Sequence, residues 1–375
     1  MSARFLTVVL ERAFNMRDGF GREIDYMRIS VIDSCNLNCY YCNPCDNNEH
    51  CHALNILSVK EVLCIVRAAT RLGIKHFRLT GGEPLLHPQL DEMVLQIKKI
   101  PGVSSVSLTT NAVLLVQHAK WLKEAGIDSI NVSLDTIDAS EYERITKKPL
   151  LEEVKHGINA AIECGIRVKI NVVLTPQTDV VALTRYVAKK GTDIRFIEMM
   201  PVGEGHTNGV EPYKKVIGTL SKLYGEPCRI NTEKTKEINS GNDKRKIPDN
   251  GPAEYYIFPE LGIRVGLIQA IHGKFCDTCN RIRVTADGRL MPCLGSSVTM
   301  DLVPDSCEFT GDLEKDFVIV QALKAAIKAK PGCHNFNDNA VTYTKTTETK
   351  TVETKATELK AAEVNAARNM SRIGG

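Results

Sequence analysis

Three cysteines fall within eight residues, Cys35-x3-Cys39-x2-Cys42. Thiolates are soft ligands that select zinc or iron–sulfur centres. Three on one loop suit a four-iron cluster with one iron left open to chelate a small molecule. The amino and carboxylate groups of S-adenosylmethionine (SAM) would fill that position. An electron from the cluster could then break a carbon–sulfur bond of the sulfonium and release a 5′-deoxyadenosyl radical, a strong hydrogen abstractor. Two alternatives stay open on spacing alone: Cys45 would complete a closed ferredoxin-type set, and Cys51 with His52 would suit zinc.

A second set, Cys276-x2-Cys279-x13-Cys293, repeats the three-thiolate arrangement. Cys307 would turn it into a zinc ribbon, and His272 lies just before it. Asn280-Arg281-Ile282-Arg283 follows directly. Strand alternation puts Arg281 and Arg283 on one side, where two guanidiniums read as a clamp for an anion such as a triphosphate. Between the two sets, Thr80-Gly81-Gly82-Glu83-Pro84 ends a strand-like run. Its glycines allow close backbone approach to a ligand, and Glu83 could receive an ammonium group.

These residues need a scaffold, and the hydrophobic pattern supplies one. Strands are predicted at Met27–Ile32, His76–Leu79, Val106–Thr109, Ile130–Ser133, Val168–Val173 and Ile194–Ile197. Amphipathic helices are predicted at Val59–Leu72, Leu90–Lys99, Gln117–Ala125, Leu151–Cys164 and Val180–Lys190. Gly73, Gly126 and Gly165 stand where helix C-caps belong. Six such units make an α/β fold, either a barrel (complete or partial) or a doubly wound sheet. Both place chemistry at the C-terminal ends of the strands. The expected organisation is a barrel over 1–201, a C-terminal region carrying the second cysteine set over 202–340, a Thr/Lys/Glu/Ala-rich linker over 341–369, and a diglycine tail over 370–375. A final helix is predicted at 312–329.

Bulk composition narrows the class. Of 375 residues, 43% are hydrophobic and 25% charged, as in a globular protein with a real core. A net charge of +3 gives no reason to expect a nucleic-acid partner. Thirteen cysteines, an odd number in two tight clusters, suit metal ligation in a reducing compartment better than a disulfide scaffold. No apolar run is long enough to span a bilayer, and the first twenty residues make a poor targeting peptide, so a cytoplasmic enzyme is expected.

The motifs taken in order resemble the radical SAM GTP 3′,8-cyclase family of molybdenum-cofactor biosynthesis. The resemblance is carried by Tyr26-Met27-Arg28-Ile29-Ser30, Cys35 to Cys42, Arg78 to Pro84, Thr109-Thr110-Asn111, Asn131 to Asp135, Lys169-Ile170-Asn171, Arg195 to Glu198, Cys276 to Arg283 and the terminal Gly374-Gly375. It implies a partial (β/α)6 radical SAM barrel with a C-terminal extension and two [4Fe-4S] clusters. The first would sit on Cys35, Cys39 and Cys42, the second on Cys276, Cys279 and Cys293. It implies SAM contacts at Tyr41, Gly82, Ser133 and Met200, and GTP contacts at Arg28, Arg78, Thr109, Lys169, Arg195, Arg281, Ile282 and Arg283. Gly374 and Gly375 would enter the active site and assist catalysis.

The implied reaction starts with abstraction of the ribose 3′ hydrogen of GTP. The carbon radical attacks C8 of guanine, and one-electron reduction yields 3′,8-cyclo-7,8-dihydro-GTP. Implied partners are a flavodoxin- or ferredoxin-like electron donor and a downstream cyclic pyranopterin monophosphate synthase, with a homodimer compatible with the pattern. Two departures stand out: His76 replaces a lysine common in the family, and Ala112 replaces a glycine. Internal salt bridges to Glu83, Asp135 or Glu198 would be an ordinary explanation for one or two of the strand cations. The competing functions are a radical SAM peptide maturase and a non-enzymatic zinc or ferredoxin-like binding module.

Overall fold

The computed structural model describes residues 16–42, 55–202, 209–230, 251–296, 299–302, 313–334 and 336. Six parallel strands form its centre: β1 (Tyr26–Ser30), β2 (His76–Thr80), β3 (Ser105–Thr110), β4 (Ser129–Ser133), β5 (Val168–Leu174) and β6 (Asp193–Glu198). Each pairs in parallel with the next in chain order, so each connection crosses back over the sheet. The crossover helices are α1 (Val59–Arg71), α2 (Leu90–Lys98), α3 (Leu115–Glu124), α5 (Leu151–Glu163) and α6 (Val180–Lys189). These elements match the sequence expectation to within a residue or two at most ends. Gly73, Gly126 and Gly165 adopt the expected positive φ, at 84°, 88° and 68°. One helix escapes the pattern: α4 (Ala139–Thr146) is only eight residues long and polar on most of its surface.

The region after residue 201 adds strands to both edges of this sheet. On one side β9 (Arg264–Ile268) pairs parallel to β6 and carries β8 (Glu254–Ile257) and β7 (Cys228–Arg229) beyond it. On the other, β10 (Arg281–Val284) pairs parallel to β1 and carries β11 (Arg289–Met291) and β12 (Met300–Asp301). The result is one twelve-stranded sheet whose two ends do not pair, a partial barrel. A short helix α7 (Gly218–Tyr224) and the last helix α8 (Leu313–Lys328) complete the described elements, and α8 packs on α1.

Alternation along the strands explains the layering. Met27, Ile29, Phe77, Leu79, Leu108, Ile130, Val132, Ile170, Phe196, Ile282 and Val284 point outward and are buried in one core with the helices. The opposite face is polar: Arg28, Arg78, Ser107, Thr109, Asn131, Lys169, Asn171, Arg195 and Arg283. A parallel sheet normally buries apolar side chains on both faces. Here Ser107, Thr109, Asn131, Lys169, Arg195 and Arg283 are each under 10% exposed although polar. Such a lining is costly unless it serves a polar ligand.

Candidate active site

The first cysteine loop follows β1 at the C-terminal rim. It is held by the helix that the sequence pattern hides. Asn38 N donates to Thr146 O at 3.0 Å, and Tyr40 N donates to Ile145 O at 3.1 Å, so free carbonyls at the C-terminus of α4 anchor the loop. The Gly81-Gly82 turn lies directly beneath. A Cβ on Gly82 would stand 2.2 Å from Ser34 O, so only glycine permits this contact. Gly82 N and Glu83 N then donate to Ile32 O and Ser34 O, both at 2.8 Å.

Glu83, expected to receive an ammonium group, is also bonded within the protein itself. Its carboxylate accepts from Leu85 N (3.0 Å), Thr110 Oγ1 (2.7 Å) and Asn111 N (2.7 Å), and burial pushes its pKa up to about 7. Asn111 in turn donates to Asn36 Oδ1 at 2.7 Å and reaches Cys35 Sγ at 3.9 Å. Glu83 thus ties the loops after β2 and β3 to the cysteine loop. Ala112 adopts φ 65°, which accounts for glycine being usual there; left-handed backbone costs an alanine about 1 kcal/mol.

The three thiols sit among acids. Burial pushes Cys35 up to about 12 and Cys42 up to about 11, with Glu83 adding to the first and Asp135 to the second. Cys39 is raised well above its usual value by burial, then by Cys42 and Asp135. Thiolates here need a positive partner, and the iron of a cluster supplies it; the donor set fits that group. Tyr41 donates to Asp135 Oδ2 at 2.5 Å, and Val173 N donates to the other oxygen at 2.7 Å. Gly82, Ser133 and Met200 follow or end β2, β4 and β6, so these SAM candidates fall on the same rim.

The GTP candidates line the polar face below. Arg283, Arg28 and Arg78 stand side by side in register on β10, β1 and β2, and Arg281, Tyr26 and His76 form the next row. Thr109, Asn131 and Lys169 form another across β3, β4 and β5. Burial and then Arg283 and Arg78 hold Arg28 well below its usual pKa, while burial and Arg281 pull Arg283 down to about 10.

Among the described residues none of the three suspected carboxylates answers Arg78, Arg195, Arg281 or Arg283. Glu83 and Asp135 are engaged as described, and Glu198 is bonded to His272 and to Ile271 N at 2.7 Å. Among the described residues Arg78, Arg195, Arg281 and Arg283 form no ion pair, and Arg195 Nη2, Arg281 Nε and Arg283 Nη1 are buried with no hydrogen-bond partner. Ile282 differs from its neighbours: its side chain is in the core beside Met27, so only its backbone faces the site.

Several contacts that position the candidate residues were not legible beforehand. Tyr26 accepts from Arg78 Nε, and Thr109 Oγ1 accepts from Arg78 Nη1 at 3.3 Å. Asn171 accepts from Arg195 Nε at 2.9 Å. Tyr255, on β8, stacks under Lys169 Nζ, 6.0 Å from its ring centre, with Arg264 at 5.6 Å held to Asp193. A Cβ on Gly266 would meet Arg195 Cγ at 2.8 Å and the Tyr255 ring at 2.9 Å, so this glycine makes room for both. Only the proximity of β8 and β9 to β5 and β6 reveals these roles.

The second cysteine set stands at the other end of the strands. Tyr26 N, at the start of β1, donates to Asn280 O at 3.3 Å, so Cys279 lies near the N-terminal end of β10. A five-residue strand spans roughly 15 Å, and the arginine rows fill that interval between the two sets. Burial would raise Cys279, yet Arg281 and Lys330 prevail and bring it down to about 7. Cys333 is close enough to Cys276 to act on its charge, a fourth thiol hidden by sequence distance. His272 is committed to Glu198, and Cys45, Cys51, Cys307, Gly374 and Gly375 lie outside the described residues, as do the whole of 341–369 and 370–375.

Comparison with known proteins bears on this geometry. The Radical SAM superfamily model matches residues 29–182, and the Molybdenum Cofactor Synthesis C model matches 192–336. GTP 3′,8-cyclase of Clostridium perfringens strain SM101 is 36% identical over 324 residues, covering 86% of this chain and 95% of the relative. That of Pelotomaculum thermopropionicum is 37% identical over 327 residues, covering 85% and 95%. Among solved structures, Streptococcus suis SuiB is similar in fold, with TM-score 0.53 at 15% identity over 79% of this chain and 65% of that one, just under two thirds of its length. With motifs in order, two cysteine sets and nearly full-length similarity to these relatives, the chain belongs to the GTP 3′,8-cyclase family of radical SAM enzymes.

Proposed function

We infer that this chain converts GTP to 3′,8-cyclo-7,8-dihydro-GTP, the first step of molybdenum cofactor biosynthesis, using SAM and two [4Fe-4S] clusters. The observation that carries the reading is the row Arg283–Arg28–Arg78, lying between two cysteine sets, in which Arg78 and Arg283 form no ion pair among the described residues. Adjacent like charges in register repel, so the row calls for a polyanion. A triphosphate satisfies several guanidiniums at once.

Residues 1–201 would hold SAM on Cys35, Cys39, Cys42, Tyr41, Gly82, Ser133 and Met200. Residues 202–340 would supply the second cluster on Cys276, Cys279 and Cys293. Arg28, Arg78, Lys169, Arg195, Arg281 and Arg283 would bind the phosphates, with Thr109 orienting Arg78 and the Ile282 backbone facing the nucleotide. When bound, the first cluster provides the electron that cleaves SAM. The chain's own part is to hold the ribose within reach of that rim and to keep water from the polar lumen. Gly374 and Gly375 are proposed to enter the site and assist catalysis.

A flavodoxin- or ferredoxin-like donor and a cyclic pyranopterin monophosphate synthase acting next are the partners we propose, with a homodimer as the assembly. No described helix is long and apolar enough to cross a membrane, and a cytoplasmic setting is our reading. The likeness to SuiB concerns fold alone, and the arginine rows favour a nucleotide over a peptide. The test is anaerobic incubation with GTP, SAM and a strong reductant. Deoxyadenosine formation that depends on GTP, with a cyclised product identified by mass, supports the reading; GTP-independent deoxyadenosine with GTP recovered intact overturns it.

A further inference from the structure

Two buried cations outside the cysteine motif touch every segment of the second set. Arg22 precedes β1. Its Nη1 donates to Cys276 O at 2.6 Å and Gly332 O at 3.0 Å, and its Nη2 donates to Pro331 O at 2.6 Å. Its Nε pairs with Asp18 at 2.5 Å, and Asp18 also accepts from Phe20 N and Arg22 N at 2.9 and 3.0 Å. Lys330 follows α8. Its Nζ donates to Arg281 O at 2.8 Å and Pro292 O at 2.9 Å. Arg281 stands two residues after Cys279, and Pro292 immediately precedes Cys293. Arg22 is 8% exposed and Lys330 is 2% exposed.

Backbone carbonyls are ordinarily satisfied by amides or water at no electrostatic cost. Burying a cation for that purpose is expensive unless an anion offsets it. Arg22 has Asp18. Lys330 has no carboxylate partner among the described residues, and the groups that act on its charge favourably are Cys279 and Cys293. A four-iron cluster in its 2+ state on three thiolates has a net charge of about −1, the counter-charge that such a lysine lacks. Outer partners that orient metal-ligand segments and balance their charge are a general requirement of metal sites.

We propose that Arg22 and Lys330 are positioning residues for the second cluster: Arg22 sets the Cys276 segment, Lys330 sets the Cys279 and Cys293 segments, and the lysine balances the charge of the loaded site. This rests on the assignment of that cluster to the three cysteines. Arg22 joins the residues before the barrel to the residues after α8 at one point, so the second site is assembled from both ends of the described chain.

The test is anaerobic reconstitution of full-length Arg22→Gln and Lys330→Met, followed by iron and sulfide analysis, electron paramagnetic resonance and SAM binding. The expected result is a fall from about eight to about four iron atoms per chain, with the first cluster's spectrum retained and SAM affinity within about two-fold of the parent. Two variants that keep about eight iron atoms and an unchanged second-cluster signal overturn the proposal. Should either variant lose both clusters, Arg22→Lys and Lys330→Arg decide: a second cluster retained with a shifted spectrum supports it, and an unchanged spectrum overturns it. Cys293→Ala separates the underlying assignment, since about eight iron atoms in that variant would refute the cysteine set rather than the role of the cations.

Discussion

The two cysteine sets have the same ligands and opposite surroundings. Around Cys35, Cys39 and Cys42 the charged neighbours are Asp135 and Glu83, and all three thiols are pushed upward. Around Cys279 they are Arg281 and Lys330, and that thiol is drawn down to about 7, although burial raises Cys276 of the same set. The difference fits the ligand proposed for each end of the lumen. SAM carries a sulfonium cation, welcome beside carboxylates. GTP carries a polyanion, welcome beside guanidiniums. A single lumen can hold both because the strands separate the two fields along their length.

The largest effect that would break this comparison comes from the ligands themselves. Cys42→Ala should abolish deoxyadenosine formation altogether, whereas Cys279→Ala should abolish the cyclised product and leave slow, uncoupled SAM cleavage. Product and deoxyadenosine measured on the same samples check this; equal loss of both in the two variants would mean that the ends are not separable. Next, Arg283→Ala removes a charge from the row. A hydrogen bond to a charged group is worth about 1.5–3 kcal/mol, so GTP affinity should drop by roughly 10- to 100-fold while SAM affinity holds. Equilibrium dialysis with both ligands reads it, and a matching loss for SAM would dissolve the distinction.

A smaller effect sharpens the cationic side. Tyr255→Leu removes the ring under Lys169, a contact worth about 0.5–2 kcal/mol, so KM for GTP should rise about 2- to 30-fold. Tyr255→Phe keeps the ring and should stay near the parent. Smallest is His76→Lys. Burial holds His76 below the usual histidine pKa, so it is neutral at neutral pH and adds no charge to the row of Arg281 and Tyr26. Lysine there should tighten GTP binding a few-fold, by about 1 kcal/mol. As pH falls through the depressed pKa, the native histidine gains its own proton, so the gap between the two proteins should narrow in acid. A gap that widens in acid would contradict the placement of His76 on the phosphate side.

Much of this was legible in the chain. The six strand–helix units followed from periodicity because each strand presents apolar residues to the helices at every second position. The cysteine spacings and the Thr80-to-Pro84 turn marked the chemistry because few residue types can do it. Two features were missed for physical reasons. Helix α4 is only eight residues long, too short to stand out by its period, yet its free carbonyls hold the cysteine loop. Glu83 has the chemistry of an ammonium receiver, but its bonds to Thr110, Asn111 and Leu85 join separate loops, which no local pattern shows. The region after residue 201 looked like an appendage because β7 to β12 are two to five residues long, too short to show a period.

What the sequence determined by itself was therefore the identity and spacing of the ligands and the order of the parallel strands, since both are local properties of residue type and period. What only the tertiary structure decided was which cations share a row and which segments meet around the second cysteine set. Register aligns Arg283 with Arg28, and Arg22 reaches Cys276 across 254 positions of sequence, because edge pairing by the C-terminal strands brings together residues that no local pattern connects.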